Sequence, residues 1–184
     1  WDLVGTTMFT GCDSFPLMAI PLFILAGALM EGGGLSSRLI NFCDSLVGHL
    51  PGGLTIVTVI ACMFFGAISG SAAATVATIG VIVVPSMLER GYDKGFSYAL
   101  IAAAGCLGVI IPPSITMVTY GVATNASIST LFMAGFAPGI VVGICLIAVA
   151  MLYCVKRGYK GNGLKFSFKR VGATFVSAIG ALLV

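Results

Sequence analysis

The chain has 184 residues, of which 59% are hydrophobic and only 8% charged, and its mean hydropathy is +1.13. Soluble domains carry roughly 25% charged residues, so this composition excludes a soluble globular protein and makes lipid the solvent for most of the surface. The net charge of +3 is local, because the six acids (Asp2, Asp13, Glu31, Asp44, Glu89, Asp93) all precede Lys94.

The sequence opens at Trp1 without an initiator Met or a basic n-region and closes at Val184 inside an apolar run. It therefore reads as a piece of a longer chain, with no cleavable signal peptide in view. Phe15 to Met30 is an apolar segment introduced by Asp13-Ser14 and closed by Glu31 and Gly32 to Gly34. This pattern predicts a transmembrane helix, with Pro16 in its first turn and Pro21 as a kink. Between Leu35 and Leu50, Leu35, Leu39, Cys43, Leu46 and Leu50 share one face. Ser36, Arg38, Asn41, Asp44 and Ser45 lie largely away from it. Such an amphipathic helix is expected to lie along the membrane interface.

After Pro51-Gly52-Gly53 come two apolar stretches, Leu54 to Ile68 and Ala72 to Leu88, joined by an uncharged Ser69-Gly70-Ser71. At 1.5 Å per residue neither stretch comfortably spans a hydrocarbon core of about 30 Å. The tip, flanked by alanines and glycine, lacks the charged or amide residues of a turn in water. The economical reading is a re-entrant hairpin over 54–88 whose tip stops inside the membrane. Two short complete spans with a tight outer loop are the other reading, and both return Glu89 to the side of Pro51.

Glu89 to Lys94 is a charged loop, and the chain then runs almost without charge from Phe96 to Val122. This run, taken as a broken helix over 96–124, is interrupted at Gly108 to Ser114. Pro112 and Pro113 lack amide hydrogens, so the carbonyls of Gly108 and Val109 lose their helical partners. A short segment from Ile128 to Phe136 leads to Pro138, and Gly139 to Val155 forms a further span. Gly135, Gly139 and Gly143 recur every fourth residue, as in close helix packing. Six bases follow between Lys156 and Arg170. Apolar helices bracket them and no aromatic stacking series accompanies them, which points to a cytoplasmic loop and not a nucleic-acid patch. That orientation puts Asn125 outside and Lys94 inside. From Val171 another apolar stretch begins. The organisation is thus a scaffold segment over 1–50, a hairpin and broken helix over 51–137, and a span, basic loop and next segment over 138–184.

Six cysteines without a CxxC pair lie mostly in apolar stretches and read as packing residues. With His49 the only histidine, neither a histidine metal cluster nor a Ser/His/Asp triad can be assembled, and hydrolase chemistry is excluded. The segment Gly66 to Ser71 lacks the lysine of a phosphate loop. What remains is neutral oxygen: the Ser69 and Ser71 hydroxyls, backbone freed at Gly70, the carbonyls around Gly108 to Pro113, and the Ser114 hydroxyl. Ser71, Thr75 and Thr78 continue one helical face, and Thr116, Thr119 and Tyr120 offer further polar groups. Such oxygens suit a hard cation stripped of water, and helix N-termini at Ser71 and Ser114 suit a carboxylate. Close packing at Ser69 and Ser71, and a structural kink at Pro112-Pro113, are the plainer alternatives.

FPLMAIPLFILAGALMEGGGL (15–35), GHLPGGL (48–54), FFGAISGSAAATVATIG (64–80), ERGYDKGF (89–96), GVIIPPSITMVTYGVATNASISTLFMAG (108–135) and Pro138-Gly139 occur in that order. Together they resemble the large permease subunit of tripartite ATP-independent periplasmic (TRAP) transporters, over nearly the whole chain. The resemblance implies an all-α integral membrane protein with the elevator fold of the ion-transporter superfamily. The chain would supply one inverted repeat, carrying a re-entrant hairpin and a discontinuous helix, and a second repeat would lie beyond it. The resemblance also implies a secondary transporter subunit and not an enzyme, located in the bacterial inner membrane. Sodium would act as the coupling ion without any other cofactor. The substrate would be an organic anion such as a C4-dicarboxylate or sialic acid, delivered by a periplasmic substrate-binding protein, with a small membrane subunit bracing the scaffold. Carried over by position, Ser69, Gly70, Ser71, Gly108, Val109, Ile111 and Pro113 would form a sodium site, and Ser114, Thr75 and Tyr120 a substrate path. Thr75 departs from the family pattern, in which many members are acidic there. A symporter of the same superfamily that needs no binding protein, and a membrane scaffold or channel without transport, are the competing functions.

Overall fold

A backbone in hydrocarbon must satisfy its own hydrogen bonds, and a chain this apolar does so by forming helices. The computed structural model describes residues 2–13, 15–159 and 168–182, and among them every regular element is helical. In chain order these are α1 (Asp2–Cys12), α2 (Phe15–Gly32), α3 (Leu35–Val47), α4 (Gly53–Ser69) and α5 (Ala72–Glu89). They continue with α6 (Lys94–Gly105), α7 (Leu107–Ile110), α8 (Ile115–Thr124), α9 (Ile128–Arg157) and α10 (Phe168–Leu182). Two of them, α5 and α9, are individually long and apolar enough to cross a bilayer, and up to four spans result if each bent pair is counted as one; the expected shortness of the hairpin arms therefore holds for α4 and not for α5. The apolar composition and these helices make this a multi-pass membrane protein.

The centre of the bundle is α4, which is apolar all round and accordingly buried on most of its faces. Val57, Val59, Ala61 and Cys62 are wholly enclosed, against Ile79 and Met87 of α5, Ala104 of α6 and Cys154 of α9. Its two deepest hydroxyls are satisfied within the helix, Thr55 donating to the Gly52 carbonyl at 2.6 Å and Thr58 to that of Leu54 at 2.7 Å. The outer side of α9 presents Ile144, Val149 and Leu152 to the surroundings, as a lipid-facing helix should.

Several elements differ from the sequence expectations. α1 was not foreseen. Pro138 lies inside a continuous 30-residue α9, so the division expected at 137/138 falls within one helix. A single proline removes one donor, and the turns on either side carry the helix through it. Pro21 likewise lies within α2. On α3, Ser36 and Ser45 are buried instead of facing away. At Ser45 the cause is α10, which packs on that side: Ser45 and Thr174 hydroxyls meet at 2.9 Å, and the rings of Phe42 and Phe175 lie 5.6 Å apart. The basic loop expected between Lys156 and Arg170 falls mostly outside the described residues.

The charged loop after α5 is fastened at both sides. Arg90 pairs with Asp44 of α3 at 3.6 Å. Tyr92 stacks on Tyr159 with centroids 4.4 Å apart, the Tyr159 hydroxyl accepts from the Asp93 amide at 3.0 Å, and Phe96 stacks on Tyr153 at 4.3 Å. The loop therefore sits at the C-terminal end of α9, so Arg90 and Lys94 share one end of the bundle with Lys156 and Arg157.

Candidate functional site

The hairpin tip is built by a change of backbone hand. α4 ends at Gly70, whose φ of 61° is the left-handed conformation that glycine accommodates without a Cβ penalty, and whose amide donates to the Gly66 carbonyl at 2.7 Å. Ser71 then opens α5 as its N-cap, its hydroxyl accepting from the Ala74 amide at 3.4 Å. The Ser71 carbonyl is a point of convergence: it accepts from the Thr75 amide at 3.1 Å, the Thr75 hydroxyl at 2.8 Å and the Ser69 hydroxyl at 3.3 Å. Ser69 and Thr75 hydroxyls are themselves 3.2 Å apart. Thr75 is fully buried and Ser69 nearly so.

The second half of the site is the break between α7 and α8. The residues four positions after Gly108 and Val109 are Pro112 and Pro113, which have no amide hydrogen, and Ile111 donates back to Leu107 at 2.9 Å. The chain resumes as α8 with its axis turned 42° from that of Lys94–Ile110. Ser114 is buried at the start of α8, its hydroxyl 2.8 Å from that of Thr116.

Glycines let the tip and the break meet. A Cβ on Gly66 would lie 2.5 Å from the Gly108 Cα. A Cβ on Gly108 would lie 2.6 Å from the Thr75 hydroxyl oxygen and 3.0 Å from the Ser71 carbonyl. At the end of the tip the Gly70 carbonyl accepts from the Ile115 amide at 3.3 Å, and a Cβ on Gly70 would come within 3.2 Å of the Pro113 carbonyl. Both hairpin arms thus press on the broken helix, and backbone meets backbone. The C-terminal ends of α4 and α7 bring negative potential, and the N-terminal ends of α5 and α8 positive potential, to one junction. Its polar atoms are neutral oxygens and amides. That combination can hold a partly dehydrated cation, and it leaves N-terminal helix ends for an anion.

The structure brings Ser69, Gly70, Ser71, Thr75, Gly108 and Pro113 together. Val109 is half-buried on α7 with its amide bonded to the Cys106 carbonyl at 3.2 Å, and no described hydrogen bond ties it to the hairpin. The Ile111 side chain turns toward α9, its Cγ1 lying 2.7 Å from where a Cβ on Gly139 would be. The structure does not bring Thr75, Ser114 and Tyr120 together within these residues. Thr75 is enclosed inside the hairpin, Ser114 pairs with Thr116, and Tyr120 is 58% exposed on α8. Periodicity gave no sign of Gly66, or of Phe23 and Gly27 on α2, which also reach the tip.

Over residues 1–184 the sequence matches the family described as "Tripartite ATP-independent periplasmic transporter, DctM component". It is 55% identical over 161 residues to the isethionate TRAP transporter permease protein DctMQ of Oleidesulfovibrio alaskensis, covering 88% of this chain and 25% of that protein. It is 46% identical over 150 residues to the C4-dicarboxylate TRAP transporter large permease protein DctM of Pseudomonas aeruginosa, covering 82% of this chain and 35% of that protein. It is 40% identical over 162 residues to the sialic acid TRAP transporter permease protein SiaT of Haemophilus influenzae, covering 86% of this chain and 26% of that protein. The chain thus spans about a quarter to a third of the length of these relatives.

Proposed function

Because this chain belongs to the DctM component family of the tripartite ATP-independent periplasmic transporters, we propose that it forms the first repeat of a sodium-coupled permease importing an organic anion across the bacterial inner membrane. The anion would be handed over by a periplasmic binding protein, and a small membrane subunit would brace the scaffold. The relatives' names favour a small carboxylate or sulfonate, since they include a C4-dicarboxylate, a sialic acid and an isethionate permease. Sodium would cross together with the anion, as a co-transported substrate.

The observation that carries this reading is the seating of the hairpin tip in the break of the discontinuous helix, with the Ser69 and Thr75 hydroxyls and the Ser71, Gly70 and Pro113 carbonyls gathered there. A cation entering exchanges water for these oxygens, and the α4 and α7 C-terminal ends favour its charge. Nothing in this group needs to change protonation. The positive N-terminal ends of α5 and α8 would face the anion, whose remaining contacts would come from the second repeat. In the elevator reading the hairpin and broken helix move past the α1–α3 scaffold and expose the junction to each side in turn.

The test uses the full-length subunit reconstituted with its binding protein and small subunit. Ser69→Ala and Thr75→Ala each remove one hydroxyl of this group, and a hydrogen bond to a charged group contributes about 1.5–3 kcal/mol. The sodium concentration for half-maximal uptake should rise roughly tenfold or more. Unchanged sodium dependence in both variants overturns the assignment.

A further inference from the structure

The segment that joins α7 to α8 is held between two partners. The hairpin meets it at Gly108, Pro113 and Ile115. Helix α9 meets it at the residues in between: a Cβ on Gly135 would lie 2.8 Å from the Ile110 carbonyl oxygen and 2.5 Å from Cε of Met117, and a Cβ on Gly139 would lie 2.7 Å from Cγ1 of Ile111. Pro112, by contrast, borders an apolar cavity of about 280 Å³ between α4 and α9, together with Met63, Ala67 and Phe136. The contacts at Ile110 and Ile111 are therefore the close ones on this side of the break.

Ile111 and Ser114 are extended, with ψ of 124° and 131°, so the turn that would carry an amide to the Ile110 carbonyl is missing. That carbonyl lies against Gly135 instead, and a glycine has two Cα hydrogens to offer a carbonyl as weak donors. Three residues on, the Pro113 carbonyl lies at the hairpin tip, 3.2 Å from where a Cβ on Gly70 would be. The break thus gives one carbonyl to α9 and another to the junction.

We infer that Gly135 is a positioning residue for the cation junction: by letting α9 come up against the Ile110 carbonyl, it sets how far the break stands from the hairpin tip. The inference rests on the cation reading of the junction and adds the residue that sets its width. A carbon and a carbonyl oxygen settle at about 3.3 Å or more, so a methyl at position 135 must drive the Ile110 carbonyl back by roughly 0.5 Å. A binding constellation has to be held to about that tolerance. Gly143, about two turns further along α9, makes a different kind of contact. A Cβ there would meet only side-chain atoms of Met63, the nearest at 2.7 Å, and a flexible thioether can turn aside.

The test is uptake by the full-length subunit reconstituted with its binding protein and small subunit, read separately as the sodium concentration for half-maximal uptake and as uptake at saturating sodium. Gly135→Ala should raise the half-maximal concentration roughly tenfold, the lower end of what residues supporting an ion's ligands contribute, and keep uptake at saturating sodium. Gly139→Ala, whose nearest backbone contact is the Ile111 Cα at 3.7 Å, should raise it by a smaller factor, and serves if the first variant does not fold. Gly143→Ala should leave it unchanged. Met117→Ala removes the side-chain contact and keeps the carbonyl one, so the shift caused by Gly135→Ala should persist in that background. A half-maximal concentration that neither Gly135→Ala nor Gly139→Ala moves, an equal shift in Gly143→Ala, or a shift abolished by Met117→Ala overturns the inference. Shifts in Ser69→Ala and Thr75→Ala with none in the glycine variants would remove the positioning role alone, whereas unchanged sodium dependence in both hydroxyl variants overturns the cation reading and this inference with it.

Discussion

Gly108→Ala isolates the contact on which the junction depends. The added methyl would sit 2.6 Å from the Thr75 hydroxyl oxygen and 3.0 Å from the Ser71 carbonyl, whereas a relaxed carbon contact lies near 3.5–4.0 Å. The helices can separate, at the roughly 1–3 kcal/mol typical of an overpacked core. Alternatively Thr75 can rotate away, losing its bonds to the Ser71 carbonyl and the Ser69 hydroxyl at about 0.5–1.5 kcal/mol each. Both routes put the cost at about 1–3 kcal/mol. The measurement is denaturant unfolding of the full-length subunit in mixed micelles, made for Gly108→Ala alone, Thr75→Ala alone and the two combined. Removing the hydroxyl takes away the closest collision and leaves only the carbonyl contact, so Gly108→Ala should cost less by about 1 kcal/mol or more in the Thr75→Ala background. Equal costs in both backgrounds would refute the claim that Thr75 and Gly108 are pressed together.

At the other end of the bundle, Tyr159→Phe removes the acceptor of the Asp93 amide but keeps the stack on Tyr92, and should destabilise by about 0.5–1.5 kcal/mol in the same unfolding assay; Tyr159→Ala, which also loses the stack, should cost more. Burial, reinforced by Cys154 and Tyr159 and opposed by Arg90, pushes the Tyr92 phenol from 10.0 up to about 12. The folded state therefore prefers the neutral phenol: its contribution is complete below pH 10.0 and is lost as pH rises through about 12. Alkaline unfolding of Tyr92→Phe should lack that component. Residues 1–184 alone, reconstituted with the binding protein and the small subunit, should give no sodium-driven uptake, because an anion site between two opposed repeats draws its helix-end potential from both; robust uptake would mean that the site lies within this repeat or that two copies replace the second.

The elements that punctuate the backbone were the ones legible in the sequence. Ser69-Gly70-Ser71 and Pro112-Pro113 end helices by local chemistry, a left-handed glycine in one case and two missing donors in the other, and the structure breaks at both places. Pro138 looked equivalent but is one missing donor, and α9 runs through it. The segment Asp2 to Cys12 gave no helical signal because its three threonines and two glycines are weak helix formers. In α1 the threonine hydroxyls donate to carbonyls one turn back, Thr6 to Asp2 at 2.8 Å and Thr7 to Leu3 at 2.7 Å. The oxygen chemistry of the junction was readable from residue types, since serines and freed carbonyls admit few uses at membrane depth. Its assembly was not. Gly66 against Gly108 and Phe23 against Gly70 join residues from separate helices, and periodicity within a helix carries no information about which partner it will meet. Tyr120 shows the converse: it falls near the other polar groups along the chain, yet on α8 it stays exposed and apart from the buried Thr75 and Ser114.

The long helix α9 is attached at two widely spaced places. Near its start, Gly135 and Gly139 lie against Met117 and Ile111, and Gly143 lies against Met63 of α4; at its far end the Tyr92–Tyr159 and Phe96–Tyr153 stacks fasten it to the loop leaving α5. Fastened at both ends to the same neighbours, α9 ties the hairpin and the broken helix into one packed unit. In the elevator reading, the turn between α2 and α3, where Gly34 holds a positive φ of 71°, would take up displacement of this unit relative to α2, whereas Gly52 packs against Cys154 at the far end of α9 and belongs to the unit. Stiffening that turn, and not the interior of the unit, is where a mechanical brake on such motion would act.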